Sequence, residues 1–102
     1  MSKLDMTKLE AISKKDVYSS PEQAFAKITE EMGEFAAAFL VHTNSPNKSK
    51  TAEDNPLEEG VDTAMCIFDV LYKLGYTTEQ INETLQTKLD KWDSKLKERG
   101  AK

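Results

Sequence analysis

Residues 20–41, SPEQAFAKITEEMGEFAAAFLV, decide how this chain is to be read. Ser20 is a helix cap, Pro21 suits the first helical position, and Gln23 three residues on completes a capping box. Ala24, Ala26, Ala36, Ala37 and Ala38 favour helix, and Gly33 is the only breaker, so a helix is expected from Pro21 to about Val41. At about 100° per residue, Phe25, Ile28, Met32, Phe35 and Phe39 fall on one stripe, with Glu31 at its flank and Glu34 about 60° further round. Two ionised carboxylates held about 4 Å apart repel by roughly 4 kcal/mol at an effective dielectric near 20. Acid in such a place calls for a cation or a water-filled setting. Gly33 has two evenly matched readings: close approach of another helix or a ligand, or simple tolerance.

Working outward, Asn55-Pro56-Leu57-Glu58 repeats the start signal, with Asn55 capping and Pro56 opening the helix. Leu57, Val61, Ala64, Phe68 and Leu71 make one broad apolar face, widened by Ile67, Val70 and Leu74, while Glu59, Asp62 and Asp69 gather on the other side. A helix so apolar is expected to be buried on more than one side. Glu59 and Asp62 repeat the three-residue spacing of Glu31 and Glu34, and the two pairs are expected to face each other around a hard divalent metal. Asp69 reads as the partner of Lys73 four residues later. Cys66 reads as a small buried residue, since no basic neighbour favours its thiolate. Gly75 ends this helix as a left-handed cap, and Thr77-Thr78-Glu79-Gln80 opens the last one with a second capping box. Ile81, Leu85, Leu89, Trp92 and Leu96 mark its expected packed stripe.

Residues 2–18 carry Leu4, Leu9, Ile12 and Val17 among lysines, the pattern of a short, weakly packed amphipathic helix. Residues 42–55 are polar and read as a long loop, preferably an exposed connector, with Lys48 and Lys50 able to close on an anion if it acts as a lid. His42 complements the end of the helix before it, and no Glu-x-x-His pair of the di-iron type is present. With no alternating strand pattern, the expected fold is all-α: a small helical bundle of three main helices plus a short N-terminal one, forming a single domain over 1–102 with its core in about 21–98.

The chain has 102 residues, 14 basic and 18 acidic, for a net charge of −4. That balance argues against a nucleic-acid polymer as partner and leaves room for a local phosphate site. The single cysteine forms no internal disulfide, no signal-like apolar run opens the sequence, and no stretch reaches the roughly 18 apolar residues of a membrane span. The expectation is a cytoplasmic protein without a membrane partner. The nearly all-round apolar helix from Leu57 to Leu74 in so short a domain further predicts completion by oligomerisation, as a homodimer or a dimer of dimers.

Glu30-Glu31-x-x-Glu34 followed after a loop by Glu59-x-x-Asp62 resembles the acidic signature of the MazG-like, all-α nucleoside triphosphate pyrophosphohydrolases. The resemblance covers about residues 21–98 and extends to Lys88-Leu89-Asp90-Lys91-Trp92 and Lys95, although many relatives carry asparagine where this chain has Trp92. It implies hydrolysis of a nucleoside triphosphate between the α- and β-phosphates, giving a monophosphate and pyrophosphate with Mg²⁺ or Mn²⁺. It further implies Glu31, Glu34, Glu59 and Asp62 as metal ligands and Lys88, Lys91 and Lys95 as phosphate contacts. Glu30, about 100° from Glu31, is the candidate for an outer-shell role or for the base, which makes Glu30 and Glu31 the catalytic carboxylates, and Trp92 either stacks on a substrate base or packs in the core or an interface. All-oxygen donors without histidine or thiolate independently select a hard cation. Two alternatives stand beside this expectation: a phosphoribosyl-nucleotide pyrophosphatase with a similar bundle, and a non-enzymatic helical interaction module whose acids only solubilise its surface.

Overall fold

A computed structural model describes residues 5–43 and 55–100. It contains four helices, α1 (Met6–Lys15), α2 (Pro21–His42), α3 (Pro56–Lys73) and α4 (Thr78–Glu98), and no strand among the described residues. The expected loop with Lys48 and Lys50 lies outside the described residues, apart from its ends. No described helix is long and apolar enough to cross a membrane.

The helix ends follow the capping signals. The Ser20 hydroxyl accepts from the Gln23 N–H at 3.1 Å, and the Gln23 side chain accepts from the Ser20 N–H at 2.9 Å. Thr77 and Gln80 make the same reciprocal pair at the start of α4. Asn55 accepts from the Leu57 N–H at 2.8 Å. Gly75, at φ +101°, ends α3: its N–H donates to the Tyr72 carbonyl and the Tyr76 N–H to that of Leu71, a pattern that needs a residue at ease in the left-handed region.

α2 and α3 form the main pair. Gly60 lies against Phe35 and Thr63 against Glu31, so the two helices run in opposite directions. The line of α2 turned to α3 is Ala24, Ile28, Glu31, Phe35 and Ala38, whose two alanines are buried and whose middle residues are half-buried. This corrects the expected stripe: Phe25, Met32 and Phe39 stand 63, 49 and 54% exposed. Spacing marked one broad apolar face, but only one edge of it is buried, with Phe35 against Gly60 at its middle and the alanines toward its ends. Gly33 has open space where a Cβ would stand, so the close-approach reading gains nothing within the chain. The close approach occurs at Gly60 instead, where an added Cβ would meet the Phe35 ring at 3.2 Å.

α1 is better anchored than its weak periodicity suggests. The buried Ser13 hydroxyl donates to the Asp69 carboxylate on α3, and the Lys73 ammonium reaches Asp69 at 2.8 Å and Asp16 at 3.4 Å. The buried Tyr72 hydroxyl bonds the Met6 carbonyl at 3.2 Å and the Thr78 hydroxyl at 2.8 Å. Thr78 also bonds Glu10 at 2.6 Å, so α1 catches the first turn of α4. Beyond the buried Ile81, every residue of α4 is exposed. The expected packed stripe is therefore left uncovered by the described residues, with Leu85, Leu89, Trp92 and Leu96 exposed by 46, 43, 63 and 39%. The first turns of α4 meet α1 and, through Tyr72, the end of α3, and α1 is too short to follow the helix further.

Candidate metal centre between the second and third helices

The antiparallel pairing of α2 and α3 brings the two acidic motifs together. One carboxylate oxygen each from Glu31, Glu59 and Asp62 lie within 4.8 Å of one another. Thr63 sets this register: its buried hydroxyl lies 3.1 Å from the Glu31 carbonyl and 2.9 Å from the Glu59 carbonyl, linking the two stretches of backbone that carry the acids. Glu31 occupies the middle of the α2 line that faces α3, and its side chain is only 14% exposed. Glu59 is half-buried and Asp62 exposed, so the group sits at the lip of the helix pair, open to solvent on one side.

Glu34, expected as a fourth ligand, is half-buried about one turn along α2 and lies outside the group of three. Glu30 is exposed and its carboxylate is held by Lys27 at 2.8 Å. Lys27 also approaches Glu31, at 3.6 Å. Its pKa is raised, first by the hydrogen bond to Glu30 and then by the charges of both glutamates.

Beside the acids opens a cavity of about 390 Å³ between α1, α2 and α3. Leu9, Ile12 and Met65 give it an apolar lining, and Ser13, Asp16, Lys27, Glu31, Asp62, Cys66 and Asp69 supply its polar atoms. Burial pushes the Cys66 thiol up, and the charge of Glu31 adds to that against the opposing pull of Lys27. A protonated, half-buried thiol fits the reading of Cys66 as a packing residue. Lys27 could have been found in the sequence from its spacing, three and four residues before Glu30 and Glu31. Ser13 and Asp16 could not, because only docking of α1 brings them to the cavity.

Lys88, Lys91, Lys95 and Trp92 all lie on the exposed stretch of α4, and none of them lines this cavity. Asp69 makes the expected pair with Lys73, but as part of the half-buried Ser13–Asp16–Lys73 network rather than on an open surface. Compared with models of known families, with curated proteins and with solved structures, the chain matches none of them.

Proposed function

We propose that this protein is a Mg²⁺- or Mn²⁺-dependent nucleoside triphosphate pyrophosphohydrolase of the MazG-like, all-α type, cleaving between the α- and β-phosphates. The observation that carries the reading is the convergence of Glu31, Glu59 and Asp62 beside an open cavity. Three carboxylates with no nitrogen or sulfur donor among them suit a hard cation that keeps part of its water and shares phosphate oxygens. When bound, such a cation neutralises phosphate charge and makes water more acidic. Glu31, Glu59 and Asp62 would hold it, with Glu34 as a proposed fourth ligand.

The chain's own groups divide the remaining work. Lys27, adjoining both Glu30 and Glu31, would be the cation that meets a phosphate oxygen. Glu30, outside the group of three and solvent-exposed, is the proposed proton acceptor, with Glu31 as the catalytic carboxylate within the group. The apolar lining from Leu9, Ile12 and Met65 offers a surface for a base or sugar. A substrate role for Lys88, Lys91, Lys95 or Trp92 requires the α4 of another copy at the cavity.

The test is a panel of nucleoside triphosphates, diphosphates and phosphoribosyl nucleotides, assayed with Mg²⁺ for pyrophosphate and orthophosphate separately. Pyrophosphate from triphosphates supports the reading. Release confined to a phosphoribosyl nucleotide moves the assignment to that enzyme class. The rival interaction module draws its support from the exposed apolar residues of α2 and α4, and it predicts neither turnover nor stabilisation by Mg²⁺. Assembly into a homodimer or a dimer of dimers belongs to the proposal on the same grounds.

A further inference from the structure

We propose that α4 of one copy pairs with α4 of a second copy, parallel and in register, through a short coiled-coil seam. This rests on the oligomeric part of the reading above and is independent of the catalytic part. Leu85, Leu89, Trp92 and Leu96 recur at spacings of four, three and four residues, which is the alternation of d and a positions in a heptad. All four are exposed, as is every residue from Asn82 to Gly100, so none of the described residues buries the stripe. Continuing the register places Asn82 at an a position, where a buried amide facing its own copy favours one alignment.

The flanking charges select a second copy and its direction. Lys88 and Lys95 occupy g positions, and Gln86 and Asp93 occupy e positions. In a parallel pair, a g residue lies opposite the e residue five positions further on in the other helix. Lys88 of one copy then faces Asp93 of the other, and symmetry makes that contact twice. An antiparallel pair would set g against g, lysine against lysine, with no acid in those positions to relieve them. Within the single helix Asp93 already meets Lys97 at 3.1 Å, and a carboxylate has acceptor capacity for both lysines. A two-heptad seam is short, but the helix is preformed, capped by Thr77 and anchored through buried Thr78 and Ile81, so pairing need not order it. Trp92 belongs to this seam and not to a substrate base.

The experiment uses the full chain with Cys66→Ser and one new cysteine at a time, under mild oxidation. Leu89→Cys and Leu96→Cys should each give a disulfide-linked dimer, while Lys91→Cys, on the outer side of the helix, should give little. Cross-linking at only one seam position would mean antiparallel pairing, and cross-linking at neither would mean that α4 meets another surface; both overturn the proposal. In parallel, sedimentation equilibrium should show Lys88→Glu raising the dimer Kd by about fivefold to tenfold, since two weak pairs turn repulsive. Lys88→Glu with Asp93→Lys should return the Kd to within about twofold, because the exchanged charges attract again. A Kd unmoved by Lys88→Glu also overturns it. A dimer that survives all these changes keeps the oligomeric reading and moves its interface elsewhere, and turnover is scored separately on the same samples.

Discussion

Lys73→Met replaces an ammonium whose side chain is 8% exposed and which holds α1 to α3. Its nitrogen lies 2.8 Å from Asp69, 3.4 Å from Asp16 and 3.5 Å from the Ser13 carbonyl. At an effective dielectric near 20, the Asp69 contact alone is worth about 6 kcal/mol of gross attraction, most of it offset by the water both groups give up. The carboxylates are 27 and 38% exposed and recover part of their hydration once the lysine is gone. The expected net loss is therefore about 2 kcal/mol, the value of a charged hydrogen bond broken on one side. Burial lowers the Lys73 pKa, but the bond to Asp69 and the charges of Asp69 and Asp16 outweigh it, and the net shift is upward. With a folded pKa raised above the unfolded one, the contribution is complete below about pH 10.4 and disappears as pH rises through the folded value. Urea denaturation of the native chain and of Lys73→Met, at pH 7 and at rising alkaline pH, reads both effects. The stability gap should be about 2 kcal/mol at pH 7 and should close above the folded pKa. A gap within about 0.5 kcal/mol at pH 7, the range of an ordinary surface change, would refute the reasoning.

Other expectations follow from single contacts. Thr63→Val keeps the shape of the side chain but removes the hydroxyl between the Glu31 and Glu59 carbonyls, so urea titration should show a loss of about 1 kcal/mol. Gly33→Ala adds a methyl to open space in a helix interior and should stabilise by about 0.5–1 kcal/mol in the same assay. Lys27→Met removes the cation beside Glu30 and Glu31, and steady-state kinetics should show the triphosphate KM rising about tenfold with a smaller change in kcat, if that lysine binds ground and transition states alike.

The helices were legible because their punctuation is local. Ser20 with Gln23, Asn55, Gly75, and Thr77 with Gln80 each act within a few residues of themselves, and the boundaries they implied agree with the observed ones to within a residue or two. The meeting of Glu31 with Glu59 and Asp62 was legible as well, since acids on helices joined by one loop can face each other, but the expected fourth member, Glu34, lies outside the group. What spacing could not supply is which edge of a broad apolar face is covered. Ala24 and Ala38 are buried while Phe25 and Phe39 stay more than half exposed, a choice between edges that a hydrophobic pattern does not make. The docking of α1 was equally hidden, since Ser13, Asp16, Asp69 and Lys73 become a network only when residues more than fifty positions apart meet. The packed stripe expected of α4 failed for a related reason: periodicity shows that a face wants cover without showing that the same chain provides it.

The central claim is that Glu31, Glu59 and Asp62 form a metal-binding group that works on a triphosphate. Glu58 and Glu59 are adjacent on α3, and only Glu59 belongs to the group, so they make a matched pair that Asp69, tied to Lys73, cannot. The direct measurement is Mg²⁺-dependent pyrophosphate release by the native chain, Glu59→Gln and Glu58→Gln, with all three shown to be folded and equally assembled. The account predicts turnover by the native chain, a fall of about 10²-fold or more for Glu59→Gln, and a change within about twofold for Glu58→Gln. No Mg²⁺-dependent pyrophosphate from any triphosphate, or equal effects of the two substitutions, would contradict it.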